Sequence, residues 1–169
     1  MAKQLSKYFT LDQLTVTDMK AKNVPTGSNL QNLTEFSKIL DTVKDKIGNY
    51  KVISGYRSPE VTAALIKVNK QAVAKSLHEI GKAADIQPMN MTAPQFLTKI
   101  FQLPDIKNKL GEIAVKTNVL HLSSVVPGKK SNFMYVNKAG QYIKFAANEL
   151  DTYVKQHGVA TAISGGAVM

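Results

Sequence analysis

The sequence contains no cysteine, and only one of its 22 basic residues, Arg57, is an arginine. Without cysteine the chain can form neither disulfides nor thiolate metal sites, so any zinc ion has to be held by nitrogen and oxygen ligands. Proteins that read nucleic-acid sequences rely on arginine for bidentate contacts and on clustered basic faces. Because the lysines are spread along the whole chain, we predict no sequence-specific binding to nucleic acid.

Long apolar runs are missing as well. No stretch of about 18 or more apolar residues is present, so we predict no membrane span. The N-terminal sequence MAKQLSKYFTLDQL lacks the apolar centre of a secretory signal peptide. A target outside the cytoplasm would therefore require another route of export.

The composition is typical of one soluble domain. The 169 residues are 44% hydrophobic, which is enough to bury a core, so we predict that residues 1–169 form a single domain. The net charge of +10 favours an anionic partner such as nucleic acid, an acidic cell-wall polymer or an acidic protein surface. A basic surface kept for solubility explains the charge equally well.

Helices and short strands are both indicated by the pattern of apolar residues. The predicted helices begin at Thr10, at Ser28 or Asn29, at Ser58 and at Thr92, and a last one covers 146–158. The predicted strands are 50–54, 83–86, 110–116, 118–126 and two aromatic-rich runs that flank the turn NKAG (137–140). We therefore predict an α+β fold: a small antiparallel sheet packed against helices, with an added C-terminal hairpin and helix.

Three residues are candidate metal ligands: His78 on a loop, and Asp85 and His121 on predicted strands. His78 and Asp85 lie seven residues apart in the segment SLHEIGKAAD, and His121 lies far downstream in VLHLS. Three protein ligands of these types can complete a zinc site that keeps one position open for water. On spacing alone, a buried histidine with a hydrogen-bond partner is the commoner explanation.

Three segments together resemble a known enzyme family: SGYRSPE (54–60), SLHEIGKAAD (76–85) and VLHLSS (119–124). They are similar to motifs of the zinc-dependent D-Ala-D-Ala carboxypeptidase and L-alanyl-D-glutamate endopeptidase family, whose members cleave peptidoglycan peptides and include compact phage proteins. The resemblance covers residues 8–130 and leaves residues 131–169 as an extension of unknown role. It implies a peptidoglycan peptide as substrate. For a phage-encoded protein it also implies the host cytoplasm or the virion as location, contact with other virion proteins, and action at the cell wall.

Carried over residue by residue, the resemblance makes His78, Asp85 and His121 the ligands of Zn²⁺. Arg57 matches the catalytic arginine that contacts substrate and stabilises developing negative charge, a role that suits a permanently charged guanidinium. From its position alone, Arg57 could equally tie down a loop. Ser76 matches the small polar residue beside the first ligand, and we expect it to bind substrate together with Arg57.

One feature of the family is missing. Its members place a general base, usually glutamate, a few residues before the last histidine ligand, where it moves a proton from water to the leaving amine. Here residues 114–120 contain no carboxylate, and Asn118 holds the position three before His121. Glu112 is the candidate base, and we expect it to need a register shift to reach the metal. Glu79 follows the first ligand directly, so we expect its side chain to point away.

Two functions follow from these observations. The first is an active zinc metallopeptidase that degrades the cell wall, with Glu112 as the base or with zinc and Arg57 acting without a strong one. The second is a catalytically inactive protein on the same fold that serves in a phage virion or binds the cell wall. The missing carboxylate favours the second function. The intact ligand set and Arg57 favour the first, which we adopt.

Overall fold

The chain forms two compact units, Met1–Asp41 with Val52–Asp85 and Thr42–Lys51 with Ile86–Met169. The structure is a computed structural model that describes residues 3–68, 75–116, 118–136, 141–145, 149 and 152–153. A single domain, with residues 131–169 as an extension, stays a prediction.

The fold is α+β, as predicted, with a six-stranded sheet packed against helices. The helices are α1 (Gly27–Lys46), α2 (Pro59–Lys67), α3 (Ala93–Phe101) and α4 (Pro104–Lys107), and a 3₁₀ turn covers Leu77–Ile80. The strands are β1 (Tyr50–Ser54), β2 (Ala83–Pro88), β3 (Leu110–Val115), β4 (Leu120–Ser124), β5 (Asn132–Val136) and β6 (Tyr142–Lys144).

The sheet is larger than expected and is mixed. Its strand order is β1-β2-β4-β3-β5-β6. The pairs β3–β4 and β5–β6 are antiparallel, whereas β3 and β5 run parallel. The predicted small antiparallel sheet differs from this arrangement in size and in strand direction. The reason is that the sequence pattern does not tell which strands become neighbours.

Helix α1 forms for the reason that its sequence suggests. Leu33, Phe36, Leu40 and Val43 recur at spacings of three and four, and each is at most 1% exposed. One face of the helix is therefore buried along its length. The predicted span, from residue 28 or 29 to about 47, agrees with Gly27–Lys46.

The predicted capping residues begin two of the shorter helices. The Ser58 hydroxyl accepts a hydrogen bond from the Val61 N–H at 3.1 Å, which satisfies one free donor at the start of α2. At the start of α3, Thr92 and Gln95 form a reciprocal capping box. Both predictions are confirmed.

The short helix predicted at Thr10 does not form. Thr10 and Gln13 make the hydrogen bonds of a capping box, but residues 11–14 form turns. The physical reason is a competing donor: the Leu14 carbonyl accepts a hydrogen bond from the Tyr56 N–H at 2.7 Å. That carbonyl is therefore used by a residue far along the chain and not by a following helical turn.

The N-terminal segment of the first unit is tied to α1 by Asp41, which is 9% exposed. Its carboxylate accepts hydrogen bonds from the Ser6 hydroxyl at 2.9 Å, the Lys7 N–H at 2.9 Å and the Tyr8 N–H at 3.1 Å. Three donors converging on a buried carboxylate compensate for its removal from water.

The C-terminal part of the second unit pairs β5 with β6, from Met134↔Lys144 to Val136↔Tyr142. The predicted turn NKAG (137–140) lies outside the described residues, as does most of the helix predicted over 146–158. Within the part of the chain that the structure describes, no helix has the length and apolar character needed to cross a membrane.

Candidate metal centre

A tight turn carries the chain from His78 to Asp85 within the first unit. The 3₁₀ turn ends at Gly81, which has a φ of +77°. Glycine adopts this left-handed conformation without steric cost. A side chain at Gly81 would also collide with the backbone carbonyl of Asn29. The sequence motif therefore requires glycine here both for the backbone angle and for space, and the turn lets β2 begin two residues later.

His78 is held in one orientation by the segment that contains Arg57. Its ring Nδ1 lies 2.8 Å from the Gly55 carbonyl oxygen, and its backbone carbonyl accepts a hydrogen bond from the Arg57 N–H at 3.1 Å. A carbonyl can only accept, so Nδ1 carries the proton in this contact. With the proton on Nδ1, a metal ion can bind the lone pair of Nε2, which is how neutral histidine binds metal ions.

The partner of this lone pair is a carboxylate. His78 Nε2 lies 3.4 Å from Asp85 Oδ1, and His78 is 3% exposed. Two acceptor atoms that face each other at this distance repel unless a positive charge is shared between them. Either a proton on the imidazole or a metal ion satisfies that requirement, so the pair fits a metal site on chemical grounds.

Arg57 lies at the start of α2, in the same unit as His78. The side chain is 9% exposed, and its Nε is buried without a hydrogen-bond partner among the described residues. Ser76, before the 3₁₀ turn, has a buried hydroxyl that likewise lacks a partner there. Buried polar groups are nearly always hydrogen-bonded in native proteins. These two unsatisfied groups are therefore donors that a bound molecule could use.

The loop that carries Arg57 is fixed by contacts of its backbone with Leu14 and Asn23. A side chain at Gly55 would collide with the Leu14 carbonyl. The Asn23 side chain donates to the Tyr56 carbonyl at 3.0 Å and accepts from the Ser58 N–H at 2.7 Å. Arg57 thus projects from a backbone that is held on both sides, which removes much of the freedom of a surface loop.

His121 lies on β4 in the second unit, and its ring contacts the candidate base. His121 Nε2 is 3.0 Å from Glu112 Oε1, with the two side chains 16% and 32% exposed. Ala114 on β3 is directly opposite His121, and Glu112 is two residues before Ala114. Side chains two residues apart in a strand share a face, and diagonal neighbours across a strand pair are within reach of long side chains.

The register shift expected at Glu112 is present, and the reach of Glu112 to a metal ion stays a prediction. The pairing is regular from Val115↔Leu120 to Ile113↔Leu122, and it shifts only between Ile113 and Leu110. Glu112 lies within this shift, and from there its Oε1 contacts His121 Nε2 at 3.0 Å. Glu79, the carboxylate that directly follows His78 in the sequence, makes a different contact: it accepts a hydrogen bond from the Lys75 N–H at 2.7 Å.

His78, Asp85 and His121 form a group that could hold a metal ion. Each offers one ligand atom, and these atoms lie within 4.8 Å of one another. Two imidazoles and one carboxylate are a common donor set for divalent transition metals.

Two contacts of the site were not predicted from the sequence. The Gly55 carbonyl selects the protonated nitrogen of His78, and the Ser123 hydroxyl accepts a hydrogen bond from the Glu112 N–H at 2.8 Å. Both residues belong to motifs that the sequence makes visible, SGYRSPE and VLHLSS. Their contacts depend on backbone geometry, which the residue types alone do not specify.

Comparison of the chain with protein-family models, with curated proteins and with solved structures found no match.

Proposed function

We propose that the protein is a zinc-dependent peptidase that hydrolyses peptide bonds of peptidoglycan. The observation that carries the proposal is the group His78, Asp85 and His121, whose ligand atoms lie within 4.8 Å of one another. Nitrogen and oxygen ligands without cysteine are compatible with zinc. The choice of zinc and of peptidoglycan rests on the resemblance of three sequence segments to the peptidase family.

The chemistry is the hydrolysis of an amide. Water adds to the carbonyl carbon, the C–N bond breaks, and a proton passes to the leaving nitrogen, so that a carboxylate and an amine are produced. A bound zinc ion would supply Lewis acidity that polarises the carbonyl and lowers the pKa of water. The protein has to supply a donor for the developing negative charge and an acceptor for the proton.

Arg57 is the proposed donor. Its buried Nε has no partner among the described residues, so a substrate oxygen can take this hydrogen bond without displacing an existing one. A buried, fixed cation stabilises developing negative charge more strongly than an exposed one, because water does not screen it. The Ser76 hydroxyl, also buried and without a partner there, is proposed to bind the same substrate.

Glu112 is the proposed acceptor, and its contact with His121 allows two roles. If His121 binds the metal through Nε2, that nitrogen carries no proton and faces the metal instead of Glu112 Oε1, so the Glu112 carboxylate can act as a general base. If His121 binds through Nδ1, its Nε2–H donates to Glu112, and the carboxylate orients the ligand. We propose the first role, because hydrolysis requires a group that moves the proton.

The test is a digest of purified peptidoglycan with the protein and zinc, analysed by mass spectrometry. We expect new amino groups and a mass change that identifies the bond. Metal analysis of protein purified without chelator should find zinc. Asp85→Asn should remove both zinc and activity, whereas Asp12→Asn makes the same chemical change at an exposed position and should remove neither.

Two outcomes would contradict the proposal in different ways. A protein that contains no zinc, with unchanged thermal stability in His78→Ala, would show that the metal site is wrong. A protein that binds zinc but releases no amino groups would favour the alternative, an inactive protein on this fold that acts in a virion or in wall binding.

A further inference from the structure

Ser123 is a buried polar residue beside the candidate base. It is 0% exposed, and its hydroxyl makes two hydrogen bonds. Its Oγ accepts from the Glu112 N–H at 2.8 Å and donates to the Ser124 carbonyl at 3.0 Å. A hydroxyl that is buried and satisfied on both sides holds its neighbours in place, because breaking either bond leaves a polar group without a partner.

The backbone around Glu112 explains why a side chain is needed there. Leu110 pairs with Ser124 and Ile113 pairs with Leu122, so two residues of β3 face the single residue Ser123. Such a β-bulge interrupts the ladder of backbone hydrogen bonds and re-aims the side chains next to it. In this bulge the Ser123 hydroxyl oxygen accepts the Glu112 N–H.

The other residue of the bulge, Gly111, leaves room for this arrangement. A side chain at Gly111 would come too close to the Ser124 carbonyl and would lie 3.3 Å from the Ser123 Oγ. The close approach of the two strands therefore depends on a glycine. It places the Ser123 hydroxyl against the Glu112 backbone.

We infer that Ser123 is a positioning residue that holds Glu112 against His121. The Ser123 hydroxyl fixes the Glu112 backbone at the bulge, and the Glu112 carboxylate then lies 3.0 Å from His121 Nε2. The consequence for catalysis rests on the proposed function. The consequence for the Glu112–His121 contact does not, and it can be measured in metal-free protein.

The first measurement is nitrogen NMR of the His121 ring in the metal-free protein. A hydrogen bond from Nε2–H to Glu112 favours one tautomer, and the chemical shifts of the two ring nitrogens report it. We expect Ser123→Ala to shift the tautomer populations in the same direction as Glu112→Ala, which removes the acceptor, and we expect faster hydrogen exchange at the Glu112 amide. Unchanged ring shifts in Ser123→Ala would overturn the inference, whether or not the protein is an enzyme.

A matched pair of variants separates the hydroxyl from the packing. Ser123→Thr and Ser123→Val add nearly the same volume, but only threonine keeps the hydroxyl. We expect Thr to retain the wild-type ring shifts and Val to lose them. Equal changes in both variants would mean that packing, and not the hydrogen bond, positions Glu112.

Activity gives an independent readout. Residues that orient the groups around a metal typically contribute about 10–100-fold to activity or metal affinity. We expect Ser123→Val to lower kcat about tenfold relative to Ser123→Thr with KM unchanged, because the hydroxyl touches no substrate. Altered ring shifts without any change in kcat would keep Ser123 as a positioning residue but would contradict the role of Glu112 as base. Wild-type protein without activity would contradict the proposed function alone.

Discussion

The substitution Glu112→Gln distinguishes the two roles that the Glu112–His121 contact allows. Glutamine keeps the size of the side chain and a carbonyl oxygen that can accept from His121, but it cannot take up a proton at neutral pH. The contact of 3.0 Å between Oε1 and Nε2 can therefore be retained while the basic function is lost. The glutamate side chain is 32% exposed, so we expect little change in folding stability.

The two roles predict different magnitudes. Loss of a general base typically lowers kcat by about 10²–10⁴-fold, which corresponds to about 3–5 kcal/mol in the activation barrier. Loss of an orienting carboxylate weakens metal binding by about 10–100-fold, or about 1.4–2.7 kcal/mol. Because metal affinity can be restored by excess zinc and a missing base cannot, the two losses respond differently to added metal.

The assay is peptidoglycan hydrolysis at increasing zinc concentration, with zinc affinity measured by competition with a chromophoric chelator. Glu35→Gln is the matched control, because Glu35 is exposed on α1. We expect Glu112→Gln to bind zinc with nearly wild-type affinity and to remain inactive at every zinc concentration. Activity that returns at high zinc would assign Glu112 to orientation of His121, and full activity throughout would exclude it from both roles.

Three further predictions concern stability. Zinc at about 100 times its dissociation constant should stabilise the protein by about 2.7 kcal/mol; calorimetry should show a higher Tm that a chelator reverses and that His78→Ala lacks. Asp41→Ala should lower the free energy of unfolding, measured by chemical denaturation, by about 3 kcal/mol, because three donors lose a buried carboxylate. The control Asp12→Ala, at an exposed position, should lower it by less than about 0.5 kcal/mol. Burial raises the pKa of the Tyr56 hydroxyl above its ordinary value of 10.0. The stability contributed by the neutral phenol is therefore complete below pH 10 and is lost as pH rises through the folded-state pKa. Denaturation at increasing alkaline pH should show a smaller loss of stability in Tyr56→Phe than in the wild type.

Elements with a strong local signal could be predicted from the sequence. Helix α1 has four apolar residues at helical spacing, and the helices that begin after Ser58 and Thr92 have both a capping side chain and a proline in the first turn. The turn at Thr10 shows the limit of such signals. Its capping hydrogen bonds form, but the carbonyl that would continue a helix is bonded to Tyr56 instead, and no local pattern reveals a partner so far along the chain.

In the candidate site, too, the residue types could be predicted from the sequence, whereas some of their contacts could not. The spacing of His78 and Asp85 and the glycine between them are visible in the sequence, and the pair lies within 3.4 Å in the structure. The protonated nitrogen of His78 could not be predicted, because it depends on a backbone carbonyl at Gly55. Every residue carries a backbone carbonyl, so the residue types do not tell which carbonyl accepts the hydrogen bond from His78.

The pairing of β3 with β4 near Glu112, in contrast, follows from the sequence once the residues on both sides of their connection are numbered. A connection at residues 117–118 makes Val115 face Leu120 and Ala114 face His121, as the structure has them. Continuing the same pairing predicts Glu112 opposite Ser123, on the same face as His121. The structure keeps Glu112 opposite Ser123 but adds Gly111 there in a β-bulge, which the numbering does not predict. A search for a base three residues before His121 examines only the strand that carries the ligand. In an antiparallel pair the neighbouring strand passes equally close, so a carboxylate nine residues away in sequence contacts the histidine directly.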